Sequence, residues 1–167
     1  LSKYADIGIL TGSDMNYVQS QMLKLIKFSE VRFKTHLLPC NGTKHYEPPM
    51  YSDDDFELVH ENDMESHLGE QCQREIFKII TKLQADVCFH DIPLTGHFVN
   101  YRGSMINWCP IGRNANPSQR ESFCEYDKNN NFRLDVLKKI QNKINTVCPG
   151  KIEVKLGGET SFDIFPV

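Results

Sequence analysis

Residues 101–120 read YRGSMINWCPIGRNANPSQR. Two short runs alternate as strands do, 97–101 leading into the stretch and 105–109 within it, around Gly103-Ser104. A Pro-Ile-Gly-Arg corner and a helix start at Pro117 follow. The stretch also carries three of the six arginines, Arg102, Arg113 and Arg120. A guanidinium offers a planar fork of donors that matches phosphate oxygens, so arginines folded back on one another point to a doubly charged anion. Solvated arginines on a strand and a helix are the plainer alternative.

Outward from this stretch the pattern is a βα unit, then a hairpin, then an α+β arrangement. The apolar run IGILTG (7–12) predicts a strand, and Ser13 or Asp14 caps a helix carrying Val18, Met22, Leu25 and Ile26. A strand at 35–38 leads to Asn41-Gly42, a hairpin signal. The segment EPPMYSDDDF is an acidic, proline-rich loop, and a strand at 56–59 follows. A helix is expected from Asn62 or Asp63 to about Leu83, then a short helix from Pro117 through Phe123. After a polar break at 129–131 comes an amphipathic helix over 132–147 with Val136, Leu137, Ile140 and Ile144 on one face. Strands at 152–155 and 161–165, joined through Gly157-Gly158, close the chain. The expected class is α/β: residues 1–59 as a partial Rossmann-like core, 60–165 as an α+β cap with a mainly antiparallel sheet, and 166–167 as the start of a return to the core.

The balance of 19 basic against 22 acidic side chains, net −3, argues against a general nucleic-acid surface. No run approaches the roughly 18 apolar residues of a membrane span, and no basic stretch precedes an apolar signal core, so a cytoplasmic protein is expected. Six cysteines lack the close Cys-x-x-Cys spacing and are expected to be mostly reduced and buried. The six histidines show no His-x-x-x-His pair, so no histidine metal site is expected. With Leu1 first and Val167 just after a strand, the chain is expected to be a fragment.

The run RGSMINWCPIGR, then Arg120, then GGETSFDIFP, together with IGILTGSD, Asn41-Gly42 and SHLGE (66–70), occurs in an order that resembles the eukaryotic-type α-phosphomannomutases of the haloacid dehalogenase superfamily. That resemblance implies a haloacid dehalogenase core with a substrate-binding cap. It implies that arginines at the positions of Arg102, Arg113 and Arg120 grip the non-reacting phosphate, with Ser161 and Asp163 on the sugar phosphate and Ser13 on the transferring phosphoryl group. It further implies Mg2+, hexose phosphate and bisphosphate ligands, a cap-to-cap homodimer, and a role in making mannose 1-phosphate for GDP-mannose synthesis. Departures are Thr11 where a second glycine is usual, Gly103-Ser104 for Asn-Gly, Cys109 for a common serine, and a longer acidic loop.

No Asp-x-Asp-Gly-Thr stretch occurs, and Asp53-Asp54-Asp55 lies in a polar loop, so the chain by itself is expected to be inactive, with no catalytic residue and no metal ligand in it. A sugar phosphatase of the same superfamily and a noncatalytic sugar-phosphate-binding protein are the competing readings.

Overall fold

The computed structural model describes residues 5–87 and 91–167. The chain divides into two compact units, Leu1–Asn62 and Asp63–Val167. Cys88 and His90 lie outside the described residues.

In the first unit β1 (Ile7–Leu10) pairs in parallel with β2 (Thr35–Leu38), and β3 (Lys44–Glu47) and β4 (Glu57–Glu61) add antiparallel to it in the order β1-β2-β3-β4. Parallel neighbours need a long crossover. It consists of α1 (Met15–Val18), a widened turn at Gln19–Leu23, α2 (Lys24–Ile26) and a tight turn at Glu30–Lys34. Asp14, rather than Ser13, caps α1, accepting the Tyr17 amide at 2.9 Å. The widened turn breaks the helical period, so Leu25, expected on the apolar face, is 82% exposed, as is Phe28 at 94%. Asn41 and Gly42 sit at φ 58° and 85°, which explains their place between β2 and β3. In the acidic loop, Arg32 donates to Ser52 O at 2.9 Å and to Asp54 O, while Asp54 accepts the Tyr51 amide.

The second unit is an antiparallel sheet in the order β5-β6-β8-β7: β5 (Val99–Tyr101), β6 (Ile106–Trp108), β7 (Ile152–Gly157) and β8 (Ser161–Pro166). Its helices are α3 (Met64–Leu68), α4 (Glu70–Val87), α5 (Pro117–Asn130) and α6 (Phe132–Val147). The helix expected from Asp63 to Leu83 is thus two helices, because Gly69 turns out at φ 79°, and the second runs on to Val87. The helix from Pro117 continues past Phe123 to Asn130, and the break shrinks to Asn131, a single left-handed residue at φ 51°.

The core follows from two periodicities. Ile76, Ile80, Leu83 and Val87 form the buried stripe of α4, and Phe132, Val136, Ile140 and Ile144 recur every fourth residue on α6. Ile106 and Trp108 of β6 and Phe162 and Ile164 of β8 join them. Trp108 stacks on Phe162 at 5.0 Å between ring centroids and donates its indole N–H to Gln84 Oε1 at 2.7 Å, so its one polar atom is satisfied on burial. The alternating partners Asn107, Ser161 and Asp163 necessarily occupy the other face. Most of the described cysteines are reduced as expected, Cys40, Cys109 and Cys124 being thiols, but Cys72 and Cys148 are disulfide-bonded across 76 residues. The packing of α4 against α6 brings that pair together, which spacing along the chain does not reveal.

Candidate functional site

On the polar face of the second unit's sheet, Asn107 stands opposite Asp163 in the β6–β8 register. Its amide nitrogen donates to Asp163 Oδ1 at 2.7 Å and to Ser161 Oγ at 3.1 Å, and its amide oxygen accepts from Arg113 Nη1 at 2.7 Å. One side chain therefore joins three of the residues expected at a phosphate site. Asn107 is 4% exposed and Asp163 6%, so these bonds form away from bulk water, where an unmatched polar group is costly.

Local backbone chemistry positions each member. Ser161 Oγ donates back to Gly157 O at 2.6 Å. Gly157 must be glycine: a Cβ there meets Asp163 Oδ1 at 2.8 Å and Ser161 Oγ at 2.9 Å. Gly112, at φ 87°, packs so closely that a Cβ falls 2.1 Å from Gly96 O. Thr95 fastens the same corner by donating twice to Ile111 O, and the Arg113 amide donates to His97 O at 3.2 Å. The corner therefore aims Arg113 from a rigid base.

Helix α5 starts in a capping box, with Asn116 and Gln119 exchanging side chain–backbone bonds at 2.9 and 3.0 Å behind Pro117. That start places Arg120 in the first turn, where its guanidinium donates to Ala115 O at 3.0 Å, to Arg113 O at 3.1 Å and to Thr160 Oγ1 at 3.2 Å. Arg133 holds the β7–β8 turn, donating to Gly158 O at 2.9 Å while pairing with Asp127 at 2.7 Å. The thiol of Cys124 meets Glu159 O at 3.7 Å, and burial followed by the Glu159 charge pushes it above the usual thiol value.

Arg113, Arg120, Ser161 and Asp163 are thus brought together. Arg102 enters from the β5–β6 turn: Asn100 pairs with Asn107, so two residues on it shares that face, and its Nη1 lies 3.9 Å from Met105 Sδ. Ser13 belongs to the first unit, where its amide donates to Thr11 Oγ1 at 3.2 Å and its carbonyl accepts the Cys40 amide at 2.9 Å. Sequence reasoning missed Asn107, Thr160 and Gly157. The signal for Asn107 was an amide amid the buried residues of β6; the other two lie beside residues already singled out.

Among the described residues no group of three or more His, Cys, Asp or Glu side chains is placed to hold a metal ion, and no helix is long and apolar enough to cross a membrane.

The sequence profile for eukaryotic phosphomannomutase matches residues 1–167. A phosphomannomutase of Dendrobium officinale is 29% identical over 167 residues, 99% of this chain and 60% of that protein. Phosphomannomutase 1 of Dictyostelium discoideum is 29% identical over 166 residues, 97% of this chain and 59% of its own length. The chain therefore spans about 60% of the length of these curated relatives. Among solved structures, an N-terminally truncated Plasmodium falciparum IMP-nucleotidase aligns over 99% of this chain and 45% of its own, at TM-score 0.60 and 12% identity. The C-terminal domain of the Candida albicans trehalose synthase regulatory protein covers 96% and 44%, at TM-score 0.55 and 13% identity. The structural likeness supports the α/β class alone. With the profile match running from the first residue to the last, the chain belongs to the eukaryotic phosphomannomutase family.

Proposed function

We propose that the protein to which these residues belong interconverts mannose 6-phosphate and mannose 1-phosphate through an aspartyl-phosphate and a hexose bisphosphate, and that residues 63–167 hold the phosphate that is not reacting. The observation that carries this reading is the Arg113–Asn107–Asp163/Ser161 network with Arg120 anchored beside it. Two guanidinium groups on a braced frame suit a phosphate dianion, and a neighbouring carboxylate suits sugar hydroxyls. A mutase must present either end of a bisphosphate to its core, so its second phosphate grip does essential work; a phosphatase has little use for one. Arg102 adds the third cation from the hairpin turn, and Ser13 contacts the transferring phosphoryl group in the first unit.

Mg2+ neutralises charge on a transferring phosphoryl group. The residues of this stretch do not fit it: Asp54 and Asp55 are engaged with the loop backbone and Arg32, and no triple carboxylate cluster is present among the described residues. No metal role is assigned to them, and the nucleophile, acid/base and metal carboxylates are placed in the family's remaining length. Cytoplasmic location, a cap-to-cap homodimer and a supply of mannose 1-phosphate to GDP-mannose synthesis complete the reading.

The test uses the intact enzyme with mannose 1-phosphate, a hexose bisphosphate activator and Mg2+. Arg120→Ala removes a charge-assisted contact of about 1.5–3 kcal/mol and lowers kcat/KM by roughly ten- to hundred-fold. Release of free phosphate in place of mannose 6-phosphate identifies a phosphatase and refutes the mutase reading.

A further inference from the structure

On the sheet of the first unit, His36 of β2 and His45 of β3 meet side by side: His36 Nδ1 and His45 Nε2 are 2.9 Å apart, with ring centroids at 5.1 Å. Neither side chain is fully buried. His60 of β4 stands opposite His45 in register, and Glu47 lies two residues further along β3, past the register shift between His45 and Tyr46. The ammonium of Lys44 belongs to the opposite face, held by Glu61 at 2.7 Å. Nothing in the proposed sugar-phosphate chemistry uses this pair.

We infer that His36 and His45 form a two-nitrogen chelate for a divalent transition cation of the nickel–copper–zinc group. Two imidazole nitrogens bound at roughly 2.0–2.1 Å with a right angle between them are about 2.9 Å apart, and about 3.3 Å apart at a tetrahedral angle. The observed separation matches the first and needs only a slight opening for the second. In the neutral pair one proton lies between the two nitrogens and only one outer nitrogen carries a proton; binding displaces the inner proton, which passes by exchange with water to the outer nitrogen that lacked one. His36 Nε2 and His45 Nδ1 then each hold a proton on a neutral ring, and a small rotation about each ring torsion turns both inner lone pairs onto one point. Among the described residues no third side chain completes a ligand set, so water fills the other positions. Imidazole nitrogen favours such ions over Mg2+, which prefers oxygen. The pairing arises across two strands, which is why a search for helical His-x-x-x-His spacing misses it.

The experiment is a calorimetric titration of the 167-residue chain with NiCl2, with MgCl2 as the comparison. The expected result is saturable binding of one Ni2+ and none of Mg2+, weakened at least about tenfold in His36→Ala and in His45→Ala and unchanged in His67→Ala. Paramagnetic broadening in the unsubstituted chain provides a second reading free of folding defects: Ni2+ must broaden the ring protons of His36 and His45 first. No Ni2+ binding, or binding that survives both substitutions, or broadening centred on other histidines overturns the inference.

Discussion

Replacing Asn107 with alanine tests whether one amide organises the candidate site. The substitution removes the 2.7 Å bond to Asp163, the 3.1 Å bond to Ser161 and the 2.7 Å bond from Arg113. The Arg113 bond ends on an exposed side chain and is worth about 0.5–1 kcal/mol. The Asp163 bond is buried and charge-assisted, worth about 1.5–3 kcal/mol. The expected loss of stability is therefore about 2–4 kcal/mol, most of it from the Asp163 side. Trp108 is the single tryptophan, is fully buried, and stacks against the strand that carries Asp163, so its fluorescence during urea unfolding reports on this sheet. The variant should unfold at lower urea with an unchanged slope. In a double-mutant cycle with Arg113→Ala the two losses should be less than additive by about 0.5–1 kcal/mol. A loss below about 0.5 kcal/mol, the range of ordinary surface substitutions, refutes the assignment of Asn107 as the hub.

Gly157→Ala should cost about 1–3 kcal/mol and weaken sugar-phosphate binding, since its methyl displaces Asp163 and Ser161; full affinity in a titration of the variant contradicts the close approach. The Lys44–Glu61 pair makes the first unit sensitive to alkali. Burial lowers the Lys44 pKa, but the hydrogen bond and charge of Glu61 outweigh it and raise the pKa above the ordinary lysine value. The stabilisation is thus complete below the unfolded pKa of about 10.4 and is lost as pH rises through the folded value. Denaturation monitored from pH 9 to 12 should show this loss in the unsubstituted chain and not in Glu61→Gln.

Elements with an unbroken period were legible. Helix α6 has the same bounds in sequence and structure because its apolar residues recur every fourth position and Asn131 and Pro149-Gly150 frame it. The β7–β8 hairpin was legible for the same reason, with Gly157-Gly158 at its turn. Reading failed where one residue interrupts a period. Gly69 splits the α3–α4 helix, and the widened turn after Val18 rotates Leu25 into solvent. At the site, the arginines were conspicuous by chemistry, but their grouping came from the family resemblance, since eleven- and seven-residue spacings do not dictate convergence. Asn107 was hidden because a polar side chain within buried sequence looks like a packing detail until the register sets it opposite Asp163. The Cys72–Cys148 and His36–His45 pairs were illegible for a related reason: tertiary packing creates the first and cross-strand pairing the second.

The claim that residues 63–167 present an anion grip built on Arg113 and Arg120 is tested most directly by nuclear magnetic resonance of the 15N-labelled chain titrated with mannose 1-phosphate, following arginine Nε–H and asparagine side-chain signals. The account predicts saturable shifts at Arg113, Arg120 and Asn107, with Arg102 following and with no response to unphosphorylated mannose. Shifts of equal size with mannose, or shifts at Arg32 and Arg74 with none at Arg113 and Arg120, contradict it.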